Sequence, residues 1–219
     1  MADRARKCAY SVAIEFDEKD GAMTVAMTQS QVKEAARREA LARRDALMPE
    51  RRKAASESLA GFLPQLPIPA DEPVVAGFFS IRSEIDPMPL MQAIVARGQM
   101  LCLPVVLADR ETMIFRAWDG VSELGTSSFG LSVPPSTSPE IAPRVLLVPL
   151  AAFDAQGYRI GYGKGHYDRA LARLEATGPV TKIGVAFSCQ EIAEVPAEPH
   201  DRPLDYVLTE DGLLTCGMN

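Results

Sequence analysis

Residues 145–150, Val145-Leu146-Leu147-Val148-Pro149-Leu150, are apolar almost without interruption. A strand that does not alternate between apolar and polar positions has no face to give to water. It belongs in a mostly parallel sheet covered by helices on both sides. Val74-Val75-Ala76-Gly77-Phe78-Phe79 and Lys182-Ile183-Gly184-Val185-Ala186-Phe187 read the same way, and Asp205-Tyr206-Val207-Leu208-Thr209 reads as the last strand. Helical stretches are expected between them, over 87–96 and from the glycine-rich segment to about 175. Strands alternating with helices predict an open α/β sheet, with ligands at the carboxyl ends of its strands.

The remaining segments fit around that sheet. A helix is expected from a cap at Thr28 or Ser30 to Leu47, and a second over about 50–63, ended by Pro64, Pro67 and Pro69. Met100-Leu101-Cys102-Leu103-Pro104-Val105-Val106-Leu107 is a strand whose proline predicts an edge, a bulge or a break. Residues 112–118 form a further strand. The stretch 120–143, rich in Gly, Ser and Pro, is too long for a plain connector and is expected to wrap a site. Residues 1–28 fit nothing that follows and are read as an N-terminal extension; residues 29–219 are read as a single α/β domain.

Bulk properties exclude several classes. With 47% hydrophobic and 24% charged residues, the 219-residue chain has the composition of a folded soluble protein. A net charge of -6 disfavours a general nucleic-acid binder. No run is long enough to cross a bilayer, and the charged N-terminus does not read as a secretory signal, so a cytoplasmic location is expected. Cys8, Cys102, Cys189 and Cys216 form no CxxC pair, which argues against a zinc site of the usual spacing.

The chemistry gathers in Arg159-Ile160-Gly161-Tyr162-Gly163-Lys164-Gly165-His166-Tyr167-Asp168-Arg169. Three glycines at every second position let a backbone turn freely and approach an anion closely, and the helix that follows offers its positive end. It is neither the Walker pattern nor the dinucleotide fingerprint. A phosphate-binding loop and a turn kept for tight packing both fit. Lys33, Arg37 and Arg44, spaced by four and seven, share one helix face; it is either solvated or delivers charge to phosphates. Asp154 either carries magnesium or opens a turn with Gly157. Glu84 follows a strand and could take a substrate amine or amide, and Trp118 with Phe129 either walls a flat ring or fills the core. His200-Asp201 reads as a loop-holding pair, because no Gly-x-Ser-x-Gly elbow accompanies it.

These residues, taken in order, resemble the 5-formyltetrahydrofolate cyclo-ligase (methenyltetrahydrofolate synthetase) family. The resemblance runs through Lys33, Arg37 and Arg44, then Glu84-Ile85-Asp86 with Pro89-Leu90, then Phe129-Gly130-Leu131. It continues through Val148-Pro149-Leu150-Ala151-Ala152-Phe153-Asp154, Gly157 and the run 159–169, to Gly184-Val185-Ala186-Phe187, Gln190, Pro196, His200-Asp201 and Thr209-Glu210. It covers about residues 30–212.

The resemblance implies a three-layer αβα sandwich of the NagB/RpiA/CoA-transferase-like kind. It implies an enzyme that uses ATP and magnesium to turn 5-formyltetrahydrofolate into 5,10-methenyltetrahydrofolate, ADP and phosphate. Its partners would be a reduced folate and ATP, with no nucleic acid or membrane, and it would act as a monomer or homodimer. Lys33, Arg37, Gly161, Tyr162, Gly163, Lys164, Gly165, His166, Tyr167, Asp168 and Arg169 would hold the nucleotide. Lys164, Arg169 and Asp168 would serve the chemistry; Glu84, Trp118, Phe129 and Tyr167 would meet the folate; Asp154 would hold magnesium. The chain departs from the family where Val133-Pro134 replaces Glu-Pro, and where Pro87 stands for the Thr of Glu-x-Asp-Thr. The lost carboxylate keeps two alternatives open: a related ATP-dependent enzyme with another formylated or amide substrate, and a non-catalytic folate- or nucleotide-binding regulator.

Overall fold

The computed structural model describes residues 28–127, 130–198 and 201–217. All but Thr28 of the N-terminal extension, and also Phe129 and His200, therefore lie outside the described residues. The chain begins with helices α1 (Gln29–Asp45) and α2 (Pro49–Ser58). The predicted cap is Thr28: its hydroxyl accepts from Gln31 N–H, and the Gln31 side chain accepts from Thr28 N–H. The second helix is shorter than expected, because the chain tightens into a 3-10 segment, Leu59–Gln65, that takes Pro64 inside it.

Strand β1 (Val74–Ala76), helix α3 (Met88–Ala96), strands β2 (Met100–Val106) and β3 (Met113–Trp118) follow. Short strands β4 (Gly125–Thr126), β5 (Ser132–Val133) and β6 (Glu140–Ile141) occupy the Gly/Ser/Pro-rich stretch. Then come β7 (Val145–Pro149), β8 (Ala152–Phe153), β9 (Arg159–Ile160), α4 (His166–Glu175), β10 (Thr181–Val185), β11 (Tyr206–Thr209) and β12 (Gly212–Thr215).

The main sheet has the order β12-β11-β10-β7-β1-β2-β3-β6. Its centre, from β11 to β2, is parallel; β12, β3 and β6 run antiparallel to their neighbours. Side chains of the parallel strands divide between two cores, as unalternating strands require. Val75, Leu101, Leu103, Val145, Leu147, Ile183 and Val185 pack with Leu59, Leu63 and the α3 residues Leu90, Met91 and Ile94. Val74, Ala76, Cys102, Leu146 and Val148 pack with Ala170, Leu171 and Leu174 of α4 on the opposite face. Helices thus cover both faces. The face of α1 carrying Ala36 and Ala40 rests on Ala152 and Ile160 of the β8–β9 hairpin.

Pro104 breaks the expectation of an edge or a bulge, because β2 lies inside the sheet between β1 and β3. Cys102 O accepts from Gly77 N–H, so Pro104, two residues on, turns its missing N–H toward the same side. Strand β1 has already ended there at Ala76, and no ladder bond is lost. The strand β12 was not foreseen: a tight turn at Glu210-Asp211 folds Gly212–Thr215 back on β11.

Candidate active site

A cavity of about 540 Å³ opens beyond the carboxyl ends of the parallel strands. It is bordered by residues that follow β1 (Phe78, Phe79, Ile81, Glu84), by the end of β2, by Pro149 of β7, and by the whole run 159–169. Lys33 and Arg37 reach it from α1, and Glu198 and Asp201 from the loop before β11.

The glycine run turns as its composition requires. Gly163 and Gly165 have φ of 80° and 63°, in the left-handed region that side chains disfavour. Gly165 stands at the N-cap of α4 with no side-chain cap, leaving the first N–H groups of the helix without that partner. A Cβ on Gly163 would meet the Arg37 guanidinium at 3.5 Å, and one on Gly165 would meet Arg169 Nη1 at 2.9 Å. The loop and its cations are thus packed against one another.

Most of these cations are already engaged. Lys33 Nζ donates to Asp201 at 2.7 Å and Glu198 at 3.0 Å. Burial pulls its pKa down, but these two carboxylates outweigh burial and hold the ammonium above its ordinary range. Arg37 Nε donates to Gly161 O at 2.7 Å, and its Nη1 pairs with Glu34. Arg159 Nη2 bonds Asp168 Oδ1 at 2.6 Å, its side chain 6% exposed. Arg169 donates through Nε and Nη2 to Glu111 O, at 3.2 and 3.0 Å, and His166 Nε2 lies 2.9 Å from Arg110 O. With Arg173, which reaches Met113 O, they fasten the β2–β3 turn over the start of α4. Lys164 lines the cavity and makes no hydrogen bond or ion pair among the described residues.

Much of the remaining lining is apolar, with Phe78, Phe79, Leu103, Val106, Met113 and Leu131. Two buried polar atoms of the lining, Glu84 Oε1 and the Tyr167 hydroxyl, have no hydrogen bond of good geometry among the described residues, although the Tyr162 hydroxyl stands close to the Glu84 carboxyl. Glu84 Oε2 accepts from Ile81 N–H at 2.9 Å. Burial lifts the Glu84 carboxyl above its usual range, against the pull of Tyr162, the Ile81 N–H and Arg44. Burial, then the neighbouring Glu84 charge, push the Tyr162 phenol up to about 12, and burial likewise raises Tyr167.

Three expectations change. Asp154 is 1% exposed and absent from the cavity wall. Its Oδ1 accepts from Gln156 and Tyr158 N–H, at 2.9 and 3.0 Å, and its Oδ2 from Val195 N–H at 2.8 Å. It organises the turn at Gly157, and a carboxylate so occupied does not fit a metal ligand. Among the described residues, no group of three or more His, Cys, Asp or Glu gathers as a metal site. Trp118 is buried behind Phe79, with ring centroids 5.4 Å apart, and its Nε1 donates to Ser122 O at 2.9 Å. It supports the wall rather than forming it. Arg44 turns inward, 2% exposed, and does not line the cavity.

Sequence reasoning passed over the apolar wall because such residues also read as core. The Phe78-Phe79 pair, at the end of the run read as a strand, was the available signal. It also passed over Arg159, Glu198 and Asp201 as site residues; Arg159 stood inside the glycine motif, and Asp201 inside the His200-Asp201 pair read as a loop holder.

The 5-formyltetrahydrofolate cyclo-ligase family matches residues 29–210. The chain is similar to the 5-formyltetrahydrofolate cyclo-ligase of Escherichia coli K12, 32% identical over 174 residues that span 76% of this chain and 94% of that one. The Mycolicibacterium smegmatis enzyme of the same name is 33% identical over 168 residues, 72% of this chain and 83% of that one. The fold of this chain resembles that of the Aquifex aeolicus 5,10-methenyltetrahydrofolate synthetase, with TM-score 0.73 and 30% identity, covering 86% of this chain and 94% of that one.

Proposed function

The chain belongs to the 5-formyltetrahydrofolate cyclo-ligase family, and on that premise we propose that it converts 5-formyltetrahydrofolate and ATP to 5,10-methenyltetrahydrofolate, ADP and phosphate. The finer description of its layers as a NagB/RpiA/CoA-transferase-like sandwich belongs to the same reading. The observation that carries the function is the division of one cavity. Part of its lining is a glycine loop with Lys164 and an uncapped helix start; another part is apolar and includes Glu84, whose Oε1 makes no hydrogen bond of good geometry among the described residues. One side suits a triphosphate; the other suits a flat heterocycle with N–H donors.

In this reading the formyl oxygen attacks the γ-phosphorus of ATP and ADP leaves. The folate's second nitrogen then attacks the activated formyl carbon and gives up its proton, and phosphate departs with the former formyl oxygen. Such chemistry asks the protein for alignment and charge rather than for a nucleophile of its own. Loop N–H groups, Lys33, Arg37 and Lys164 hold the phosphates, while Arg169 is steadied by the Glu111 carbonyl. Glu84 accepts from the heterocycle, Tyr167 borders it, and the Phe78–Phe79 wall keeps water away. Of the cavity-wall carboxylates Asp168, Glu198 and Asp201, one or two rather than Asp154 would join the triphosphate oxygens in holding a magnesium ion arriving with ATP, exchanging their present cation partners for it. When bound, that ion neutralises charge on the triphosphate.

A second reading, a different formylated or amide substrate, is favoured by Val133 alone. Val133 lies on β5 beside Ser132, which lines the cavity. The label test decides the chemistry: with ¹⁸O in the formyl group, the released phosphate should carry it. Phosphate without label, formed at the rate of product, would contradict the mechanism.

A further inference from the structure

Arg44 is a buried cation that the mechanism leaves without a task. It lies in the last turn of α1, 2% exposed, and does not reach the cavity. Its Nη1 donates to the Tyr162 hydroxyl at 2.9 Å, and its Nε to Ser83 Oγ at 3.0 Å. The nearest carboxylate, Asp45, is 3.7 Å away on a largely exposed side chain, and also accepts from Ser83 Oγ. Burying a guanidinium whose hydrogen bonds go to two neutral hydroxyls, with Glu84 acting on it only through space and Asp45 3.7 Å off, is costly, and a well-packed apolar residue would serve stability as well or better.

What the arrangement does achieve is geometric. Tyr162 stands between Gly161 and Gly163 in the glycine loop, and Ser83 immediately precedes Glu84. The guanidinium is a rigid planar fork, so its two bonds fix these segments relative to each other. The Tyr162 hydroxyl also neighbours Glu84 itself. On the reading under Proposed function, these segments are the phosphate end and the heterocycle end of one cavity.

We propose that Arg44 is a positioning residue that couples the two substrate subsites: by tying Tyr162 to the Ser83–Glu84 segment, it makes the binding of nucleotide and of folate mutually reinforcing. Each ligand fixes one end of the fork and thereby orders the other. By linkage, the gain must be the same in either direction.

The test is calorimetry with a non-hydrolysable ATP analogue plus magnesium and with 5-formyltetrahydrofolate, each titrated alone and in the presence of the other. The wild-type protein should bind each ligand about tenfold more tightly when the other is present. In Arg44→Met that factor should fall toward one, while each ligand alone binds nearly as before. Ser83→Ala cuts one arm of the fork at a partly exposed site. It should lower the factor too, and it carries the test if Arg44→Met does not fold. Arg44→Lys, a single-point donor, should restore little of it. Weakening of both ligands with the coupling intact would show a merely structural role and overturn the proposal. Binding of both ligands to the wild-type protein without mutual effect would overturn it while leaving the functional reading standing. Binding of neither would overturn that reading, and the proposal with it.

Discussion

Glu84 shows how much one buried carboxyl can decide. Burial holds its pKa above the usual range, so the folded protein binds that proton more tightly than the unfolded chain does. Stability therefore falls as pH rises from the ordinary glutamate range through the raised value, and the deficit is complete above it. Glu84→Gln should melt at a higher temperature than wild type at pH 7, with the gap closing at acid pH. The same variant should raise KM for the folate by about tenfold or more, the loss of one charge-assisted hydrogen bond, with KM for ATP little changed. A folate KM equal to wild type would remove Glu84 from the site. Burial also lifts the Asp154 carboxyl above its usual range, but its oxygens are taken by three backbone N–H groups, and losing one of those bonds outweighs the relief from removing the charge. In Asp154→Asn an amide N–H₂ faces one of three backbone donors, at a cost of about 1–3 kcal/mol. Calorimetric melting should record that loss, while the magnesium concentration needed for turnover stays where it was; a shifted magnesium requirement would restore Asp154 as a ligand. Both residues stood out in the sequence, but their roles did not. An aspartate after a strand looks alike whether it faces a ligand or three backbone N–H groups, and the difference lies in where Val195 returns.

At the scale of elements, the glycine loop and α4 act as one unit. Lys164 projects from it without a partner among the described residues, whereas Lys33, Arg37 and Arg159 are held by carboxylates or carbonyls. Lys164→Ala should therefore lower kcat by ~10²-fold or more at saturating ATP, as expected when a cation is used mainly in the transition state. Single-turnover phosphate release measures this directly, and an unchanged rate would assign the charge elsewhere. The loop, the first helix with its cap, and strands β1, β2, β3, β7, β10 and β11 were legible because periodicity, glycine spacing and capping residues are local signals; the two-residue strands β4, β5, β6, β8 and β9 were not. Strand β12 was not, because a four-residue strand formed by pairing with β11 carries too little pattern of its own. Pro104 misled for a related reason: whether a missing N–H costs a bond depends on where the neighbouring strand stops, which is not written next to the proline.

The whole molecule joins two cores across one sheet and leaves its cavity where β1, β2 and β7 end. That architecture followed from strands apolar on both faces. The apolar side of the cavity did not, since Phe78, Phe79 and Met113 become lining only after the β2–β3 turn and α4 are fastened together. The central claim is that this cavity closes the methenyl ring of a reduced folate at the expense of ATP. The direct measurement is the near-ultraviolet absorbance of methenyltetrahydrofolate when the purified protein meets 5-formyltetrahydrofolate, ATP and magnesium. The account predicts a rise that requires all three and is matched by ADP mole for mole. A folded protein that binds ATP and yields no such rise would contradict it, and would turn attention to Val133 and a different substrate.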